Sequence, residues 1–382
     1  MTTAVVIGGG IGGLTTAIAL RRAGLKAQVY EQAPELTEIG AGLSLWANAT
    51  KALTQLGLGD QLGSIATPLQ VLESRAPDGR VLHHAELSVV DRKFGHFSYA
   101  MHRGELFQLL LNDVPQTDVF TNSRFRRLSR NGDRPVACFE SGLEVAADVL
   151  IGADGLFSGV RHELAAGAAP DFAGYATWRG IAEIERPRRW PAMALVRTVG
   201  RGEYFGVGEI SPGRYLWYAT KNRALREPEP GGRRKTVLRH FGTWHSPIPD
   251  FVRATPEDQI LLHPAYNMAP LTSWIGSRAT LVGDAAHPIE PSLGMGACLA
   301  IEDALVLGAC LEGTSQVDHA LAMYERTRRP RVARMVRWSK WLARSEQVEQ
   351  PIVCALRDLG TRLSRPSVTR YLAHRAFEFA MP

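Results

Sequence analysis

Two short apolar runs, TAVVIG (3–8) and LKAQVYE (25–31), flank a segment, IGGLTTAIALRRA (11–23), whose apolar positions recur at helical spacing. Strand, helix and strand in that order make a βαβ opening, and Gly24 reads as the residue just past the helix end. Further on, the pattern predicts helices over 49–58 and 104–113 and strand-like stretches near 70–85 and 95–101. VACFES followed by LEVAADVLIGADG reads as a hairpin and a buried strand ending near Gly152. ATLVGDAAHP (279–288) is another buried strand running into a turn, Gly294 to Leu311 a helix, and the chain from about Thr314 helical and basic. Residues 172–185 and 203–219 differ from all of these. They alternate and are rich in Tyr, Trp and Phe, which suits a half-buried antiparallel sheet, with a turn at Ser211–Gly213. ALREPEPGGRRK (224–235) has the composition of a mobile surface loop. The expected fold class is α/β: a Rossmann-like parallel-sheet domain, an inserted antiparallel-sheet domain and C-terminal helices.

Composition narrows the field. With 382 residues the chain exceeds what one core usually holds, so two joined domains are expected. Lys and Arg outnumber Asp and Glu by 44 to 38, but the arginines are scattered without a long basic tract, which argues against a nucleic-acid partner. The four cysteines, Cys138, Cys298, Cys310 and Cys354, show neither CxxC nor metal-ligand spacing; free thiols, no metal and a cytoplasmic location are expected. The N-terminus lacks the basic start of a secretion signal, and no apolar run reaches the roughly 18 residues needed to span a bilayer. RVARMVRWSKWLARSE (331–346) could touch a membrane or a partner; the expectation is a helix packed on the first domain with its Arg face in solvent.

Three motifs carry chemistry. The first is Gly8-x-Gly10-x-x-Gly13 between strand and helix. Gly8 permits the tight turn, Gly10 lets a pyrophosphate approach the backbone, and Gly13 lets the helix pack on the strand. Glu31, at the end of the second strand, can accept from ribose hydroxyls and disfavours a 2′-phosphate, which leaves FAD or NAD as the tenant. The second motif is GADGLFSGVR, with Asp154, Gly155, Ser158 and Arg161 after the strand DVLIGA. The third is LVGDAAHPIEPSLGMGACLAIEDA, in which Asp284 can accept from a second ribose or ribityl hydroxyl and Gly294-Met295-Gly296 lead into a helix start suited to negative charge.

On these motifs the chain resembles the single-component (class A) FAD-dependent aromatic monooxygenases, the family of p-hydroxybenzoate, salicylate and FAD-dependent urate hydroxylases. Residues 40–48, His102-Arg103 and the pair Glu302-Asp303 add to the likeness, which covers nearly the whole chain. It implies a glutathione-reductase-type FAD-binding domain over 1–70, 100–168 and 276–330, a substrate domain over 71–99 and 169–275, and a C-terminal helical segment over 331–382. It also implies non-covalent FAD contacted by Gly8, Gly10, Gly12, Gly13, Glu31, Gln32, Ser44, Arg103, Phe125, Asp154, Asp284, Gly294, Met295, Gly296, Ala297 and Cys298. The family usually carries Gln where Met295 stands, so a side-chain contact is lost while the backbone donors remain.

The implied reaction consumes NADH or NADPH and O2 and hydroxylates a small aromatic through a flavin C4a-hydroperoxide, in a monomer or homodimer. No second GxGxxG is present for the nicotinamide. Epoxidation or polycycle oxidation on the same fold, of tetracycline or isoprenoid type, and a flavin-dependent reductase or oxidase are the alternatives. No protein nucleophile is required; the candidates near the chemistry are Arg179, Tyr204, Leu216, Tyr218, His287 and Pro288. His287 and Pro288 form a turn that the resemblance places above the flavin ring, which is a structural role. Arg179 either pairs a substrate acid or a neighbouring one. Glu290 reads as a solvated loop charge and Glu302-Asp303 as helix N-terminal charges. In the hairpin, one face carries Tyr204, Gly206, Gly208, Leu216 and Tyr218, the other Phe205, Val207, Tyr215 and Trp217. Tyr204 and Leu216 stand where the resemblance puts the Arg and Tyr that hold urate. The pocket is therefore expected to be less polar than a urate site, with Arg179 the only nearby candidate to pair an acid group.

Overall fold

A computed structural model describes residues 2–37, 40–165, 167–188, 190–379 and 381. A six-stranded sheet organises the first part of the molecule, in the order Ile275–Gly276, Ala279–Leu281, Val149–Gly152, Thr3–Ile7, Lys26–Tyr30, Val119–Phe120. All neighbours run parallel except the edge pair Ile275–Gly276 with Ala279–Leu281. The inner strands are covered on both faces, which is why VVI and VLIG read as unbroken apolar runs. The chain leaves Thr3–Ile7 for one neighbour through helix Ile11–Arg22, while the other neighbour, Val149–Gly152, arrives much later. That reversal opens a crevice at the carboxyl ends of the strands. The three motifs follow three adjacent strand ends: Gly8 after Ile7, Ala153-Asp154 after Gly152, and Gly283-Asp284 just after Leu281-Val282.

Helix Ile11–Arg22 packs along helix Gly296–Leu311. A Cβ on Gly308 would lie 3.0 Å from the Ala19 carbonyl oxygen, so glycine sets the close approach. The second sheet has seven strands: Leu261–Asn267, Asp171–Glu183, Arg214–Asn222, Glu203–Ser211, Ala194–Val199, Val71–Arg75, Val81–Glu86. It is antiparallel apart from one parallel pair, Ala194–Val199 beside Val71–Arg75. One face holds a separate core in which Phe205 stacks on Trp217 at 5.6 Å and packs against Phe241. The other face turns toward the crevice.

Several expectations are corrected. The helix expected over 49–58 is Ala47–Gln55; the chain then turns at Gly57 (φ 79°) and a second helix, Gly59–Ile65, begins. A helix at Ser88–Phe94, closed by Gly95 in the left-handed conformation, separates the strand-like stretches. Residues 224–235 are anchored. Buried Arg223 lies over the Trp178 ring at 5.0 Å and donates to Glu229, which also accepts from the Trp178 indole at 2.6 Å; helix Arg233–Phe241 then starts. The C-terminal part consists of helices Val317–Glu346, Pro351–Leu363 and Pro366–Phe377. All four cysteines are free and buried, and among the described residues no helix is long and apolar enough to cross a membrane.

Candidate active site

The opening glycines divide into two kinds. Gly8 has φ 106°, and a Cβ there would strike the backbone of Ala153 and Asp154; one on Gly13 would strike the Gly8 carbonyl. Packing explains both. A Cβ on Gly10 would meet nothing within 4 Å. The protein leaves space there, and no side chain caps the helix that starts behind it. Free N–H groups facing vacant space make a cradle for an anion. Beside it, Glu31 accepts from the Gly9 N–H at 2.6 Å and the Ala33 N–H at 2.9 Å. A carboxylate has about four acceptor sites, so capacity remains for hydroxyl donors. Gln32 is exposed next to it.

The second motif braces the third. Asp154 accepts from the Ser158 hydroxyl at 2.5 Å and the Val160 N–H at 3.1 Å, fixing the start of helix Gly159–Leu164; Phe125 rests against Gly159. Buried Arg161 donates to the carbonyls of Asp284 (3.2 Å), Ala285 (3.1 Å) and Leu156 (2.5 Å). Asp284 keeps open area toward the crevice although protein surrounds it, and burial raises its pKa against the pull of His287, Arg103 and Arg161. Residues 42–46 are tied to the loop before helix Gly296–Leu311. The Trp46 indole donates to the Leu293 carbonyl at 3.0 Å, and the Cys298 thiol lies 3.7 Å from the Ser44 carbonyl. Gly294 takes φ 62°, and no side chain caps this helix either, so the N–H groups of Gly296 and Ala297 open on the crevice. Met295 turns into the core, where the polar side chain of a Gln would be unwelcome.

Glu302 and Asp303 are not solvated helix charges; both are fully buried. Arg328 donates to Asp303 at 2.7 Å and Glu302 at 2.6 Å, Arg331 donates to Glu302 at 2.5 Å, and Asn48 to Glu302 at 2.5 Å. His287 Nε2 donates to Asp303 at 2.5 Å, and Asp303 also accepts from the Gly283 N–H at 2.9 Å. Burial works to raise both carboxyls, but His287 and Arg328 for Asp303, and Arg328 and Arg331 for Glu302, outweigh it and hold both below the ordinary range. His287 thus orients the turn that carries Asp284, with Trp274 at 5.1 Å against its ring. The Arg face expected in solvent is partly this core. Glu290 is buried as well and accepts from the Tyr175 hydroxyl at 3.0 Å.

The hairpin faces divide as the alternation predicts. Phe205, Val207, Tyr215 and Trp217 enter the second core; Tyr204, Gly206, Leu216 and Tyr218 lie on the opposite face. The Tyr204 and Tyr218 hydroxyls are 2.6 Å apart, with the Tyr218 ring filling the space over Gly206. Leu216 packs over Gly42, next to the strand of Ser44. Arg179 is not the only cation nearby. Arg197, on the adjacent strand, lies over the Tyr204 ring at 5.1 Å and is ion-paired with buried Glu346 of the long C-terminal helix. Burial opposes its charge, but Tyr204 and Glu346 more than restore it.

A hollow of about 130 Å³ joins the two halves, lined by Thr177, Arg179, His263, Asp284 and Pro288 among others. No acid pairs Arg179 among the described residues; burial, then Arg103, push its pKa down. His263 is pushed down to about 4 by burial, Arg179, Arg103 and Arg233. A larger apolar hollow, about 530 Å³, lies behind the His287-Pro288 turn, away from the glycine cradle and the tyrosine pair. Sequence reasoning missed His263, Arg197 and Glu346. Arg197 had a signal, a lone charge at an alternate position of the apolar strand ALVRTV; Glu346 had none, since its partner lies 149 residues away.

The uncapped glycine cradle at a strand-order reversal, with ribose-type acceptors on both sides, defines a dinucleotide-binding flavoprotein built on a Rossmann-like sheet. The chain belongs to the FAD binding domain family, which matches residues 1–339. It is 33% identical over 361 residues to the aurachin C monooxygenase/isomerase of Stigmatella aurantiaca, covering 94% of each chain. It is 30% identical over 343 residues to an FAD-dependent urate hydroxylase of Klebsiella pneumoniae, covering 87% of each. The crystal structure of Klebsiella pneumoniae HpxO complexed with FAD and uric acid superposes with a TM-score of 0.92 at 27% identity, over 98% of this chain and 96% of that one.

Proposed function

We propose that the protein is an FAD-dependent monooxygenase that uses NADH or NADPH and O2 to hydroxylate an apolar aromatic or heteroaromatic small molecule in the cytoplasm. The observation that carries the substrate reading is the face opposite the second core: a tyrosine pair and Leu216, with the Arg197 guanidinium beside them already neutralised by Glu346. When bound, FAD supplies the redox chemistry that no side chain here can provide. Gly10 admits its pyrophosphate, Glu31 and Asp284 accept from its hydroxyls, and the helix start at Gly296–Cys298 offers N–H groups to negative charge on the ring system. Leu216 and Pro288 exclude water, and the Tyr204–Tyr218 hydroxyls orient a polar edge of the substrate ring. Arg179 stands free to pair an acid substituent, which is the second mode of binding the site allows.

Steady-state screening of aromatic compounds for stimulated NADH and NADPH oxidation, with product and hydrogen peroxide both measured, tests this. Apolar phenols or fused heteroaromatics are expected to stimulate coupled turnover above urate. Tyr204→Phe and Leu216→Ala are expected to change KM or coupling with FAD content intact. Urate as the best substrate, or wild-type behaviour of both variants, overturns the assignment.

A further inference from the structure

Helix Pro351–Leu363 is mounted inside out. Ile352, Leu356, Leu359 and Leu363 recur at spacings of four, three and four, which puts them on one stripe, and they are 77%, 63%, 50% and 72% exposed. The opposite side carries Cys354, Arg357, Asp358 and Thr361 and faces the protein: the Cys354 thiol contacts the Val348 carbonyl at 3.2 Å, and Arg357 donates to the Ser345 carbonyl at 3.3 Å. A surface helix ordinarily buries the apolar side. The following helix continues the pattern with exposed Val368, Tyr371 and Leu372, and both helices pack on strand Val81–Glu86, whose Val81 is exposed too. On the long helix, Trp341 is 70% exposed between exposed Arg337 and Arg344, four residues before it and three after it on the same side.

Charge says what covers this surface. Residues 331–382 hold ten Lys and Arg against four Asp and Glu, a surplus of six; the whole chain's surplus is also six, so residues 1–330 are balanced. Glu346 is buried against Arg197 and Arg331 against Glu302, which leaves nine Lys and Arg against three acids, the same surplus of six. An isologous dimer would bring this basic segment against its own copy, with arginine opposite arginine. A bilayer with anionic headgroups takes both features at once, accepting Leu and Ile among the acyl chains and Arg and Lys at the phosphates. An exposed Trp between arginines is the arrangement favoured at the level of the headgroups. We propose that helices Pro351–Leu363 and Pro366–Phe377 dock the enzyme peripherally on an anionic lipid surface. The helices lie in the interface; they do not cross it. The proposal does not depend on which substrate the active site takes.

The test is flotation of the purified holoenzyme with phosphatidylcholine vesicles, with and without phosphatidylglycerol, alongside size-exclusion chromatography with light scattering. The wild type is expected to float with the phosphatidylglycerol vesicles, to be released as salt screens the headgroups, and to stay behind with phosphatidylcholine alone. Leu356→Asp with Leu363→Asp is expected to weaken vesicle binding by about tenfold or more while FAD content and NADH oxidation stay at wild-type values. Trp341→Ala, on the neighbouring helix, is expected to weaken it less. Failure to float with either vesicle overturns the proposal. So does equal flotation with both, which removes the charge argument, and so does a wild-type dimer that these Asp substitutions convert to monomer, which assigns the stripe to a second copy.

Discussion

Two sets of buried or enclosed charges lie on opposite sides of the Gly283–Pro288 turn, and they are built in opposite ways. Behind the turn, Glu302 and Asp303 meet Arg328, Arg331 and His287, and each carboxylate has several donors at 2.5–2.9 Å. In front of it, Arg179, His263 and Asp284 line a hollow; burial pushes Arg179 and His263 down and holds Asp284 above its ordinary pKa. The first set satisfies itself and gains from being folded. In the second, burial works against the charged forms of Arg179 and Asp284, no acid pairs Arg179 among the described residues, and both groups keep capacity for a ligand. A self-satisfied cluster therefore reads as scaffold and an unsatisfied one as binding surface, although both contain the same residue types.

The largest expected effect comes from breaking the scaffold side. Arg328→Met leaves two buried carboxylates short of a partner and is expected to cost about 3–5 kcal/mol in denaturant unfolding. Arg179→Met, which relieves a crowded cation, is expected to leave stability within about 1 kcal/mol of wild type or raise it. Equal losses for the two would erase the distinction.

Gly10→Val fills the glycine position of the opening run whose surroundings are open. FAD retention, read as the flavin-to-protein absorbance ratio, is expected to fall by roughly tenfold to hundredfold, while circular dichroism and the unfolding midpoint of the flavin-free protein stay unchanged. A wild-type flavin ratio would mean that the cradle holds nothing.

The two aspartates compare the sets directly. Asp284→Ala is expected to weaken FAD binding by about 1–3 kcal/mol in fluorescence titration and to leave the flavin-free protein at least as stable as before. Asp303→Ala is expected to show its effect first in unfolding. A loss of stability in Asp284→Ala matching that in Asp303→Ala would join the two sites into one.

The smallest effect is in pH. Glu302 and Asp303 are held below the ordinary carboxyl range, so the unfolded chain binds their protons more tightly. Their stabilisation is complete above the ordinary carboxyl values of about 4 and is lost as pH falls below them. Asp284 is shifted the other way, so it favours unfolding as pH rises through that range. Asp284→Asn is accordingly expected to raise the melting temperature of the flavin-free protein at neutral pH and to leave it unchanged in acid, where wild-type Asp284 is protonated in both states.

Local signals in the chain were enough for the βαβ opening, the three motifs and the hairpin. Each is written in residues close together: glycines at fixed offsets after an apolar run, or strict alternation around a Pro212-Gly213 turn. The division of hairpin faces needs only that adjacent strand residues point opposite ways, and Tyr204 and Tyr218 do share a face. What tertiary structure alone decided is the state of each charge. Glu302-Asp303 has the sequence of a solvated helix start, yet Arg328 and Arg331, a helix away, make burial favourable. ALREPEPGGRRK has the composition of a free loop, yet Trp178 and Arg223 hold Glu229 in place. Arg197 looked isolated until Glu346 arrived from the far end of the chain. A charged side chain is stable in the interior only when partners surround it, and those partners come from segments whose distance along the chain says nothing of their distance in space.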